Sequence, residues 1–148
     1  MKAEELMKGD WVRKLCKGGV YIPVKVLGVI ENIVYCQSID GKRYSVGEDC
    51  IERIPLTPEI IEKNDFELRK GCTSAWDWHH GESSVHIDGD HKSPILQTVT
   101  IYTPGGVVGA AFSSHRTLSE HKIRGVHELQ HALRLCRIKK KISNLMIC

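Results

Sequence analysis

Residues 24–46 read VKVLGVIENIVYCQSIDGKRYSV, and three short runs within them decide the first half of the architecture. The runs 24–30, 33–39 and 42–46 are rich in β-branched side chains, which pack well on a pleated surface and lose rotamer freedom in a helix. Glu31-Asn32 makes one tight link between them. Asp40-Gly41 is a strong hairpin signal, because a short turn matching the strand twist needs backbone that tolerates positive φ. Upstream, Gly9-Asp10-Trp11-Val12 reads as a turn feeding a strand, after a short helical turn within 3–7, and residues 50–54 supply a last short strand. Short antiparallel strands joined this closely predict an SH3-like small β-barrel over residues 1–54.

The chain changes character at Pro55-Leu56-Thr57-Pro58. Thr57 has the side chain of an N-cap, Pro58 suits the first helical position, and Glu59 stands behind it, so a short helix is expected to about residue 64. Beyond it, strands are expected at 66–69, 75–79, 84–87 and 95–102, then a turn at 103–106 and a strand from 107. Gly81-Glu82 and Asp88-Gly89-Asp90 read as turns between them. Residues 123–138 carry the one strongly helical periodicity. The expectation is an α+β chain: the barrel at 1–54, then a unit at 55–148 made of a helix, a small antiparallel sheet and a C-terminal amphipathic helix.

Composition narrows the function classes. The chain has 148 residues, of which 41% are hydrophobic and 26% charged, close to ordinary globular usage, so a packed core is expected rather than disorder or a fibre. The longest apolar run, 107–112, is too short to span a bilayer, and residues 1–14 hold no stretch resembling a signal peptide. A cytoplasmic location away from membranes is therefore expected. Six cysteines (Cys16, Cys36, Cys50, Cys72, Cys136 and Cys148) contain no C-x-x-C pair and should be mostly reduced. A net charge of +3 does not by itself point to nucleic acid. Arg134, Arg137, Lys139, Lys140 and Lys141 do concentrate positive charge, which usually marks a solvated helix end where cations complement the helix dipole.

His127-Glu128-Leu129-Gln130-His131 matches H-E-x-x-H, in which two histidines one helical turn apart bind zinc and the glutamate activates the bound water. A catalytic zinc needs a third protein ligand, and beyond His131 the chain holds no Asp, Glu or His, only Cys136 and Cys148. The longer pattern with a downstream glycine and histidine is excluded, because Arg134 and Arg137 stand in those places. At roughly 100° per residue, Val126, Leu129, Ala132, Leu133 and Cys136 share one face, while His127 and His131 are expected on the opposite face toward water. An upstream ligand from His79, His80, His86, Asp88, Asp90, His91, His115 or His121 stays open, since ligands need only meet in space.

Trp76-Asp77-Trp78-His79-His80 and Val85-His86-Ile87-Asp88-Gly89-Asp90-His91 gather aromatics, imidazoles and carboxylates without a recognised metal spacing. On a strand Trp76 and Trp78 face one side and are expected on the core or across a strand pair, with the acids and histidines as turn residues. Gly18-Gly19 and Gly105-Gly106 lack the Lys-Ser/Thr that a phosphate loop uses.

Three segments carry a resemblance: 6–12 (LMKGDWV), 54–66 (IPLTPEIIEKNDF) and 126–133 (VHELQHAL). In order and motif the chain resembles small proteins of Bacteroides-type bacteria and of their prophages and mobile elements. The resemblance spans nearly the whole chain and is most specific in the linker and last helix. Such proteins have no assigned activity, and many carry V-H-x-L-Q without a match to Glu128 or His131. It thus implies that H-E-x-x-H is here a helix motif, and it supplies no catalytic residue.

Three function classes follow. The leading expectation is a non-catalytic binding module for a protein or small-molecule partner, with no cofactor. The first alternative is a zinc-dependent metallohydrolase with Glu128 as its catalytic residue and His127 and His131 as ligands. The second is a nucleic-acid-binding accessory protein using the barrel face and the basic C-terminal end, which the small net charge does not favour.

Overall fold

The computed structural model describes residues 1–90, 93–102, 115–117, 123–143 and 145, with backbone alone at 90, 93–98, 102 and 115–117. It is an α+β chain with two antiparallel sheets and two α-helices among the described residues. Its contacts divide it into two units, Met1–Ile54 with Gly125–His127, and Pro55–Arg124 with Glu128–Cys148. No helix among the described residues is long and apolar enough to cross a membrane.

In the first unit β1 (Trp11–Leu15), β2 (Tyr21–Ile30), β3 (Ile33–Ser38), β4 (Arg43–Gly47) and β5 (Ile51–Arg53) form one sheet in the order β4-β3-β2-β1-β5. Strand pleating sets its faces: Val24 and Val26 of β2 pair with Ser38 and Cys36 of β3, and Val24, Val26, Val34 and Cys36 are fully buried. Glu31 takes a positive φ of 53° in the link between β2 and β3, and Gly41 one of 88° between β3 and β4. The register of β2 against β3 shifts between Val26 and Gly28, as at a β-bulge. Ala3, Leu6, Val12 and Ile51 complete the core, with Ala3 and Leu6 delivered by a 3-10 turn, Ala3–Glu5. The barrel expected from the sequence is not closed, because the outer strands β4 and β5 do not pair with each other. A physical reason lies in β5, which is three residues long and has β1 as its ladder partner; just past it the Ile54 carbonyl accepts the Val126 N–H at 3.0 Å.

In the second unit α1 (Pro58–Lys63) starts as expected, with Thr57 Oγ1 accepting the Ile60 N–H at 3.4 Å and Pro58 in the first turn. The second sheet has the order β10-β9-β8-β7-β6, from β6 (Glu67–Leu68), β7 (Ala75–His80), β8 (Ser83–Asp90), β9 (Ser93–Tyr102) and β10 (His115–Thr117). Gly81-Glu82 is the turn between β7 and β8, and its two residues fix the register Trp76↔Ile87, Asp77↔His86, Trp78↔Val85. Asp88-Gly89-Asp90, expected as a turn, continues β8; Asp88 and Gly89 keep partners Thr98 and Gln97 on β9, and a register shift follows at Asp90. The turn at 103–106 and the strand from 107 lie outside the described residues, as do His91, His121 and Cys148.

One face of this sheet is apolar, with Trp76, Val85, Ile87, Val99 and Ile101 buried. Ile60, Ile61, Phe66, Leu129, Leu133, Ile138 and Ile142 are buried in the same unit. The last helix, α2, runs Val126–Leu135 rather than 123–138. It is shorter because Arg124 and the residues beside it are extended, with the Leu56 N–H on the Arg124 carbonyl at 3.3 Å, and because Arg137 at φ 57° ends it. At that end the Ile138 N–H bonds the Leu133 carbonyl and the Arg137 N–H the Arg134 carbonyl, a Schellman cap. α1 closes in the same way, with Asp65 at φ 65°, the Phe66 N–H on Ile61 and the Asp65 N–H on Glu62.

Candidate functional site

The H-E-x-x-H residues lie in the first turns of α2 and differ in burial. His127 is buried, at 2% exposure, not turned to water as its helical angle suggested, while His131 is half-buried. The angle argument takes a helix to lie on its apolar stripe, but the first turn of α2 belongs with the first unit. There the Val126 N–H bonds the Ile54 carbonyl, and Gly125 lies against Arg53. Gly125 permits this approach: a Cβ on it would stand 3.1 Å from Arg53 Cβ, 3.2 Å from His127 Nδ1 and 3.2 Å from the Ile54 carbonyl. Glu128 has a structural task, its carboxylate accepting the Arg124 backbone N–H, one residue ahead of the N-cap Gly125. No group of three or more His, Cys, Asp or Glu among the described residues could hold a metal.

Among the described residues, the histidines and acids expected in turns stand instead on strands, and the register gathers some of them on one sheet face. Asp77 of β7 lies opposite His86 of β8, with His86 Nδ1 at 2.5 Å from Asp77 Oδ1. Arg69, just past β6, grips the same carboxylate with Nε at 3.0 Å from Oδ2 and Nη2 at 2.7 Å from Oδ1, and its Nη1 lies 3.5 Å from Asp88. Those donors hold the Asp77 carboxyl down to about 2, the guanidinium contributing most, so the group is an ionised acceptor at neutral pH. An ionised Asp77 calls for the proton on Nδ1 of His86, which also lies 3.2 Å from Arg69 Nη2, and leaves Nε2 facing Ser84 Oγ at 3.2 Å.

Ser84, His86 and Asp77 thus stand in the hydrogen-bond order of a nucleophile, base and acid. Acyl transfer also requires donors aimed at the developing oxyanion, and the guanidinium beside this relay is already turned into Asp77 and Asp88. What the geometry achieves is to fix one tautomer of His86 and tie β6, β7 and β8 together.

The opposite face of β7 ends in a different kind of site. Trp78 and His80 alternate onto the face that carries buried Trp76, and their rings lie near-parallel, with centroids 5.9 Å apart and planes inclined by 16°. They wall a cleft of about 560 Å³, whose other wall is the segment 137–141 just past α2 and whose rim includes Asp65 and Ser83. Lys140 spans it, with Nζ 2.8 Å from Asp65 Oδ2, 5.7 Å from the centre of the Trp78 ring and 5.9 Å from that of Phe66. Asn64 pins the segment, its Oδ1 accepting the Ser143 N–H at 3.0 Å while its Nδ2 donates to the Ile60 carbonyl. Arg137, Lys139 and Lys141 are exposed. The cleft therefore has an aromatic wall and a cationic wall, with four cations against one carboxylate among the described residues.

Sequence reading identified the basic run and the tryptophan pair separately and missed Asp65, Ser83, Ser84 and Arg69. The link between Asp77 and His86 was derivable, because a two-residue turn at Gly81-Glu82 leaves one register; the meeting of residue 78 with residue 140 was not. Compared with known proteins, the chain matches no family model, no curated protein and no solved structure.

Proposed function

We propose that this chain is a non-catalytic binding module whose ligand is a small anion-bearing molecule held in the cleft between Trp78, His80 and residues 137–141. The observation that carries the reading is the cationic wall: Arg137, Lys139 and Lys141 rim a cleft in which the only carboxylate among the described residues, Asp65, is already bonded to Lys140. Cations after a helix ordinarily serve the helix dipole, and that role needs neither a cleft nor an aromatic wall. The volume also suits a small ligand, within the roughly 300–1,000 Å³ of small-molecule sites.

Two further parts of the reading rest on the sequence. We take the first unit to be an SH3-like barrel in kind, supported by its strand order β4-β3-β2-β1-β5 and the register shift in β2. We take the chain to be kin to the small proteins of Bacteroides-type bacteria and mobile elements that its 54–66 and 126–133 segments resemble, and to work in the cytoplasm.

The test is calorimetric titration of the full chain with pyrophosphate, at low and at physiological salt. Binding should be salt-sensitive, and the double variant Lys139→Gln, Lys141→Gln should weaken it about fivefold or more. Saturable binding that ignores both changes, or none at all, would sink the reading.

A further inference from the structure

Resting on that reading, we infer that the ligand carries a flat heteroaromatic ring as well as phosphate, the chemistry of a mononucleotide. An anion site needs only cations and donors, yet here one wall is a pair of near-parallel rings, Trp78 and His80, two residues apart on β7. Of these, His80 is exposed and Trp78 half-buried, so the pair adds to the wall of the cleft rather than to the core, unlike Trp76 at 2% exposure. Lys140 holds one approach to Trp78, fixed there by Asp65, and so serves to position the indole as much as to attract charge.

The cations that remain at the rim differ in kind. Arg137 offers a planar fork suited to two phosphate oxygens, while Lys139 and Lys141 are mobile point charges. Arg137 is also set by the backbone, standing at φ 57° as the residue that ends α2, so its Cα position is fixed by the Schellman cap rather than by the ligand. A ring laid against the aromatic wall would bring an attached phosphate across the cleft toward that segment. A cleft of about 560 Å³ accommodates one nucleotide rather than a track for a strand, and the small net charge of +3 fits a small ligand better than a polyanion.

The experiment compares three probes on the full chain: adenosine monophosphate, adenosine, and pyrophosphate, with a short single-stranded oligonucleotide as a fourth arm. Adenosine monophosphate should bind at least about tenfold more tightly than either part alone. His80→Ala, at an exposed position where folding is not at stake, and Trp78→Ala should each weaken it about 5–100-fold, a larger loss than either causes for pyrophosphate. Circular dichroism confirms that the Trp78 variant is folded, and the His80 variant decides if it is not. Pyrophosphate binding as tightly as the nucleotide would overturn the ring while leaving the anion site standing. Binding of no probe would overturn both. Oligonucleotide binding at least tenfold tighter than the mononucleotide would replace the small ligand with nucleic acid.

Discussion

At the scale of single residues, Asp77 shows how a carboxylate becomes structural. Its folded value of about 2 lies below the ordinary 3.8, so the unfolded chain takes up the proton first as the pH falls. The stability that Asp77 contributes is therefore complete above about pH 4 and is lost as the pH drops toward 2. Denaturant unfolding at pH 5 and pH 2.5 should show this loss, and Asp77→Asn should flatten it while lowering stability at pH 5 by about 1.5–3 kcal/mol. Equal pH dependence in the two proteins would place the acid-sensitive group elsewhere. Gly125 is a second such residue. Because a Cβ there would press on Arg53 Cβ and on the fixed Ile54 carbonyl, Gly125→Ala should cost about 1–3 kcal/mol, read as a lower urea midpoint. An unshifted midpoint would show that the approach to α2 can relax.

Elements are where sequence periodicity was most and least trustworthy. The apolar stripe of α2 is present, with Val126, Leu129, Ala132 and Leu133 buried, although Cys136 at its end is only half-buried. Leu133→Ala should therefore cost about 2–5 kcal/mol in equilibrium unfolding, a loss near zero meaning that the stripe faces another way. The helix ends just beyond, where Arg137 holds a left-handed conformation that glycine adopts more readily. Arg137→Gly should raise the stability of the folded chain by about 0.5–1 kcal/mol, and at the same time weaken anion binding if the cleft uses its fork. A melting temperature that falls would show that the arginine side chain contributes more than its backbone costs.

For the molecule as a whole, the question the sequence raised most sharply is metal. With the Glu128 carboxylate bonded to the Arg124 backbone N–H and His127 buried, protein purified without a histidine tag should carry zinc far below one per chain by mass spectrometry. Stoichiometric zinc would return the metallohydrolase, with Glu128→Gln as its next test.

The sequence by itself determined the local elements. Runs rich in β-branched residues gave the strands at 24–30 and 33–39, Thr57 and Pro58 began a helix, and Leu129 and Leu133 found the buried face of the last one, because these depend on neighbours a few residues away. The two-residue turn at Gly81-Glu82 even held the pairing of Asp77 with His86, which alternation alone left unused. Only tertiary structure decided that β4 and β5 stay apart, that His127 is covered, and that Trp78 meets Lys140. Those outcomes depend on which surfaces are brought together by segments dozens of residues apart, and no periodicity along the chain encodes that distance.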